Sequence, residues 1–224
     1  MTIKQKLGAP IKFKKAKIPS NKNLNGKYVV LKPININKHS KGLYANFSKD
    51  KENRIWAYLP YGPFKRYRSF KKWLKSFCLN KDPFFYAIYA KRHKQFCGMA
   101  SYLRITPAHG SIEVGHINYS PILQNTAEGT ETMYLMKKNA FEVLGNRRYE
   151  WKCNNLNTAS KNAAKRLGFK FEGVFRQMFV FKGRNRDSAW FSIIDKEWKK
   201  LKKNYLRFLK PSNFDKNYKQ FKKL

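Results

Sequence analysis

Ser120-Pro121-Ile122-Leu123-Gln124-Asn125-Thr126-Ala127-Glu128-Gly129-Thr130 is the stretch on which the reading of this chain turns. Ahead of it, residues 111–119 read as a strand. Behind it, a helix expected from about Thr130 places Met133, Met136, Ala140 and Leu144 on one face and stops at Gly145. A strand that runs through small residues into a helix N-terminus offers unpaired backbone N–H groups and the positive end of the helix dipole. That is an anion site. Phosphate or diphosphate suits it, because several N–H groups converge on one phosphoryl group only where bulky side chains are absent. The stretch is neither a Walker loop, since Gly-Lys-Ser/Thr is missing, nor a dinucleotide GxGxxG turn.

Outward from this loop the chain is well punctuated. Upstream, residues 28–31 form a short β-prone run stopped by Pro33, and residues 36–47 carry a weak helical pattern. Pro63 opens a clearer helix with Phe70, Trp73, Leu74 and Phe77 at core spacing. Three strands then make a meander: 84–90, 96–104 and 111–119, joined by turns at 91–94 and 107–110. Downstream, Tyr149, Trp151 and Cys153 alternate with Arg148, Glu150 and Lys152, the period of a half-buried strand. Asn157 or Thr158 caps a short helix ended by Gly168, and a hairpin built from 169–174, 177–181 and 188–194 closes the unit. Residues 1–27 read as a basic arm, 28–198 as one domain, and 199–224 as a basic, aromatic tail that either docks on the domain or presents its rings and lysines to RNA.

The 224 residues are 42% hydrophobic and 16% aromatic, which excludes general disorder. Their longest apolar run, at 84–90, is far short of the roughly 20 residues of a membrane span. Without an apolar run near residue 1 that reads as a secretory signal, a cytoplasmic location is expected. Cys78, Cys97 and Cys153 suggest neither a disulfide framework nor a metal site. The formal charge is +36, and the two terminal segments carry +17 of it: eight Lys without an acid in 1–27, and ten Lys or Arg against Asp215 in 199–224. Contact with the ribosome or another RNA is one reading of that charge. Drift in an AT-rich genome is the other, since 37 of the 49 basic residues are Lys and 20 residues are Asn.

The element order β-α-α-β-β-β-α-β-α-β-β, with the anion loop after the fourth strand, resembles the GNAT superfamily of acetyl-CoA-dependent N-acetyltransferases over residues 28–198. The family loop Gln/Arg-x-x-Gly-x-Gly/Ala is matched by Gln124-x-x-Ala127-x-Gly129, with Ala127 replacing the central glycine. Ile112-Glu113-Val114-Gly115-His116, Asn154-x-x-Asn157-x-x-Ser160, Leu167-Gly168-Phe169-x-x-Glu172-Gly173 and Arg184-x-Arg186-Asp187-x-x-Trp190 are similar to the branch that acetylates the N-terminal alanine or serine of ribosomal proteins.

The resemblance implies an α/β fold with a mixed central sheet of about seven strands, flanking helices, and parallel fourth and fifth strands that splay apart around acetyl-CoA. Ile117, Asn118 and Tyr119 would pair with the pantetheine arm. Gln124, Asn125, Thr126, Ala127, Gly129 and Thr130 would hold the diphosphate, and Asn157 the arm from the far side. Glu128 is expected to point to solvent, since a carboxylate repels a diphosphate. Lys161 and Lys165 either meet a 3′-phosphate or form a solvated helix face. The amine would attack the thioester directly, with Glu113 as base and Ser160 near the thiol. Each has a structural alternative: ion pairing for Glu113 and helix capping for Ser160. Tyr119 and Tyr134 are alternative acids or packing residues. His116, alternating with Ile112 and Val114, should lie opposite Glu113 as a structural residue. The acceptor implied is a primary amine, foremost a protein N-terminus. A small-molecule amine and a non-catalytic RNA-binding role are the other readings.

Overall fold

The computed structural model describes residues 6–224; the first five residues of the basic arm lie outside the described residues. One eight-stranded sheet runs β1-β2-β3-β4-β5-β6-β8-β7. Its strands are β1 (Leu24–Asn25), β2 (Val29–Pro33), β3 (Phe84–Ala90), β4 (Gln95–Thr106), β5 (Ser111–Tyr119), β6 (Arg148–Asn154), β7 (Lys170–Phe181) and β8 (Arg184–Ile194). Only β5 and β6 are parallel. The strand beyond the seven expected is β1, supplied by the arm.

Alternation along β3 divides the core. Phe85 and Ala87 pack beneath α1 (Ile36–Phe47) and α2 (Tyr67–Phe77) with Leu43, Phe47, Phe70, Leu74 and Met99. Tyr86 and Ile88 face the other layer, made by α3 (Ala127–Lys138), α4 (Thr158–Arg166) and α5 (Asp195–Phe208). Each fully buried leucine or phenylalanine here contributes about 1.5–3 kcal/mol. The helix expected from Pro63 starts only at Tyr67, after Arg66 in extended conformation.

The arm and tail are stitched into this domain. The Glu131 carboxylate of α3 accepts the backbone N–H groups of Lys27, Tyr28 and Val29 at 2.8, 2.6 and 2.8 Å. Further back, the Ala16 and Lys17 amides donate to Pro107 and Leu144. At the other end, α5 runs without interruption across residue 198, and Trp198, Tyr205 and Phe208 are buried in the layer of α3. Lys137, fully buried, donates to Tyr205 Oη at 2.7 Å and to the Leu167 carbonyl, tying α5 to the end of α4. Burial drives its ammonium well below the ordinary lysine value. No helix among the described residues is long and apolar enough to cross a membrane.

Candidate active site

Four residue pairs join β5 to β6, from Ser111 with Arg148 to Val114 with Trp151. Beyond them β6 continues beside β8 as far as Asn154 with Ser188, whereas residues 115–119 of β5 keep only β4. The cause lies in a bulge. Between the pairs Ser101–Gly115 and Met99–Asn118, β5 takes three steps where β4 takes two, and His116 sits in the left-handed region at φ 48°. One edge of β5 is thus left without a strand partner, and a cavity of about 960 Å3 fills the wedge.

The bulge also moves His116 to the face opposite the one expected. Its ring stacks on Tyr61 at 5.7 Å and meets Phe77 and Phe85, each at 5.3 Å, on the same face as Glu113. Its Nδ1 lies 2.9 Å from Tyr61 Oη. Burial, with Arg104 and Arg186 adding to it, lowers the imidazole to about 4.

At one end of the wedge the chain turns into α3. Thr126 is the N-cap: its side chain accepts Gly129 N–H and its carbonyl accepts Thr130 N–H, so the helix begins at Ala127, earlier than expected. The backbone N–H groups of Gln124, Asn125, Thr126, Ala127 and Glu128 take no hydrogen bond among the described residues. Five unpaired donors therefore follow one another at the positive end of α3, three of them on residues that line the cavity (Gln124, Asn125 and Thr126), with Asn125 left-handed at φ 58°. Gln124 Nε2 closes the turn on the Tyr119 carbonyl at 3.0 Å. A Cβ at Gly129 would stand 2.7 Å from the Leu123 carbonyl oxygen, so glycine there is a packing requirement of the turn. Glu128 does not face solvent. It is buried, pairs with Arg92 at 3.2 Å and is not among the residues that line the cavity. Arg166, which donates to Thr130 Oγ1 at 3.2 Å, lines this end of the cavity; Lys161 and Lys165 do not.

Along the wedge, Ile117, Asn118 and Tyr119 line the cavity from β5. Asn118 is buried, and both polar atoms of its side chain lack partners among the described residues. Tyr119 Oη is committed to the Gly129 carbonyl at 3.0 Å, and Tyr134 stacks between Trp198 and Tyr205 outside the cavity. From the opposite side, Asn157 caps α4 by accepting Ser160 N–H at 3.0 Å, which leaves its Nδ2 free to donate. Ser160 Oγ accepts the Trp151 indole N–H at 3.0 Å, and its hydroxyl also lies within reach of the Cys153 thiol. Cys153 is a buried free thiol in the same wall, pushed up by burial.

At the far end stands Glu113. Its Oε2 receives Arg104 at 2.7 Å and Lys152 at 2.9 Å, and Lys152 also holds Glu150 at 2.8 Å. Oε1 has no hydrogen bond among the described residues; Glu113 belongs to the cavity wall although its side chain is only 4% exposed, and Leu103 packs over Gly115 beside it. Burial pushes the Glu113 carboxyl up, and the two cations oppose it. This end is completed by residues 54–60, by Phe179 and Phe181 of β7, and by Arg186 of β8. Glu113 and Ser160 thus line one cavity with Ile117, Asn118, Tyr119, Gln124, Asn125, Thr126, Gly129, Thr130 and Asn157; Ala127, buried in the first turn of α3, stands behind the turn. Arg104, Lys152, Arg166 and the 54–60 segment are additions that reading the sequence missed.

The cavity can accept a long ligand with an anionic end on the α3 amides and a reactive end beside Glu113. Residues 29–170 match the family model described as an acetyltransferase (GNAT) domain. A GCN5-related N-acetyltransferase from Brucella melitensis is 41% identical and superposes with a TM-score of 0.91 over 93% of this chain and 95% of that one. A protein from Chromobacterium violaceum described as a probable acetyltransferase of the GNAT family is 39% identical, with a TM-score of 0.80 over 89% of this chain and 99% of that one. A ribosomal L7/L12 α-N-protein acetyltransferase, in complex with coenzyme A, shares the fold at 18% identity and a TM-score of 0.65, over 78% of this chain and 99% of that one. No curated protein matches the chain. By its sheet, its open wedge and these relatives, the chain belongs to the GNAT family and is an acetyltransferase.

Proposed function

We propose that the chain transfers the acetyl group of acetyl-CoA to the α-amino group of a protein N-terminus, a ribosomal protein being the favoured acceptor. The observation that carries the cofactor assignment is the unpaired edge of β5 leading straight to five free amides at the head of α3. Acetyl-CoA fits it. An extended amide-bearing arm matches a strand edge left without a partner, and the partnerless Asn118 side chain and free Asn157 Nδ2 add polar contacts along the same path. The five amides suit a diphosphate, and Arg166 offers a cation near it.

The cofactor supplies an activated thioester, and the chain's residues supply position and proton management. Residues 54–60 and the β7–β8 hairpin form the mouth through which the amine enters beside Glu113. As the C–N bond forms and the C–S bond breaks, the proton lost by the amine passes to Glu113 Oε1, directly or through one water. Burial keeps that carboxylate basic enough to accept a proton, while Arg104 and Lys152 on Oε2 hold it in place. The Ser160 hydroxyl donates a hydrogen bond to the departing sulfur. A protein acceptor is supported by the motif resemblance around Asn157, Ser160 and Glu172, and the +36 charge is suited to a substrate on or near the ribosome.

The test is acetyl-CoA turnover against a panel of N-terminal peptides, N-acetylated controls and free amines. Turnover of unblocked peptides alone supports the reading. Turnover confined to small amines replaces the acceptor, and binding of CoA without turnover on any amine sinks the catalytic assignment.

A further inference from the structure

The cations around the acceptor end of the cavity are matched with acids, with one exception. Arg104 and Lys152 share Glu113, and Arg54 pairs with Glu52 outside. Elsewhere on the same sheet Arg148 pairs with both Glu150 and Glu172. Arg186 has no carboxylate partner among the described residues, although it is half-buried and lines the cavity. Its guanidinium lies 4.6 Å from the centre of the Phe181 ring and 5.5 Å from that of Phe179, and its Nε donates to Ser188 Oγ at 3.2 Å. The stacking fixes the plane of the fork and the Ser188 bond takes one donor, so the terminal N–H groups remain for a ligand. Burial lowers this guanidinium, with Cys153 and Glu113 opposing and Arg104 adding to the shift. A partly desolvated cation without a partner is costly, and an acceptor that brings a carboxylate offsets that cost.

We propose that Arg186 is a specificity residue that binds a carboxylate of the acceptor close to its amine, so that the preferred substrates are N-termini with Asp or Glu in the first few positions. The proposal rests on the protein N-terminus reading above. An acidic neighbour also suits the site as a whole: with Arg54 on Glu52, and Arg104 and Lys152 on Glu113 and Glu150, Arg186 is the cation of this end left without a carboxylate among the described residues.

The experiment compares kcat/KM for C-terminally amidated peptides of equal length that differ only at the second and third residues, acidic against the isosteric amides and against lysine. The wild-type protein is expected to favour the acidic peptide over its amide isostere by about tenfold or more, mainly through KM, with the advantage shrinking as salt rises. In Arg186→Gln the ratio should fall towards one, in Arg186→Lys it should recover in part, and in Arg186→Glu it should reverse in favour of lysine. Because each ratio is taken within one variant, partial loss of folded protein cancels, and the salt series on the wild-type protein stands if a variant fails to fold. Equal use of the three peptides by the wild-type protein, or an acidic preference kept by Arg186→Gln, overturns the proposal and leaves the peptide acceptor intact. Acetylation of free aspartate or glutamate with none of the amidated peptides overturns both.

Discussion

The two ends of the cavity are built from different material. At the α3 end, the groups without a partner are main-chain amides at 124–128, and the side chains are small or absent, as at Ala127 and Gly129. At the other end they are charged side chains drawn from four strands: Arg104 from β4, Glu113 from β5, Lys152 from β6 and Arg186 from β8. Substitution should therefore act differently at each. A backbone site fails when something is added to it, whereas a side-chain site fails when something is removed.

The largest effect is expected at the side-chain end. Glu113→Gln keeps the shape and removes the proton acceptor, so kcat should drop roughly 10²- to 10⁴-fold while acetyl-CoA affinity in calorimetry stays close to that of the wild-type protein. A kcat unchanged from pH 6 to 9 would reduce Glu113 to an anchor for Arg104 and Lys152. At the backbone end, addition is the damaging change. Gly129→Ala forces a Cβ against the Leu123 carbonyl, and a loss of about tenfold or more in CoA affinity with a lowered Tm is expected. The two losses are coupled, because the glycine packs the same turn that exposes the amides; an intact Tm with intact affinity would show that the turn has slack.

A smaller effect separates the bulge from both ends. His116 is held near 4 in the folded chain against an ordinary value of about 6.5, so the unfolded chain takes up its proton first as pH falls. The stability this residue contributes is complete above about pH 6.5 and declines between 6.5 and 4. His39, also near 4 through burial, acts in the same window, while Glu113 and Glu131, raised by burial, act against it. Denaturant titrations should show that His116→Gln removes up to one proton's worth of that slope, about 1.4 kcal/mol per pH unit. Equal slopes in the two proteins would mean that the bulge lets His116 protonate without unfolding.

The same contrast explains what could be read in the sequence. The strand–turn–helix pattern around Gln124 to Thr130 is local: alternation, a run of small residues and a helical stripe suffice to place it; the cap differs because Thr126 and Thr130 are equally able to start a helix on composition, and Glu128 because its partner Arg92 comes from another segment. Glu113 and Ser160 stand out as candidates through motif spacing, not through chemistry visible in the chain. The partners of Glu113 were not found, since Arg104 and Lys152 lie 9 and 39 residues away and meet it only after strands from separate segments come together. His116 was placed on the wrong face for a similar reason. Strict alternation presumes an unbroken strand, and nothing in Val114-Gly115-His116-Ile117 announces a left-handed residue at His116. In the basic tail beyond residue 198, docking on the domain was legible because Tyr205 and Phe208 stand at helical spacing from Trp198, and both are buried in α5.

The central claim is that the wedge beyond Val114 is a backbone-built acetyl-CoA site. Amide hydrogen exchange with and without acetyl-CoA tests it most directly, because β5 carries its own control: residues 111–114 already pair with β6, while 115–119 do not. Acetyl-CoA should slow exchange at 117–119 and at 124–128 and leave 111–114 unchanged. Binding of acetyl-CoA that leaves both of those segments exchanging as in the free protein would contradict the account.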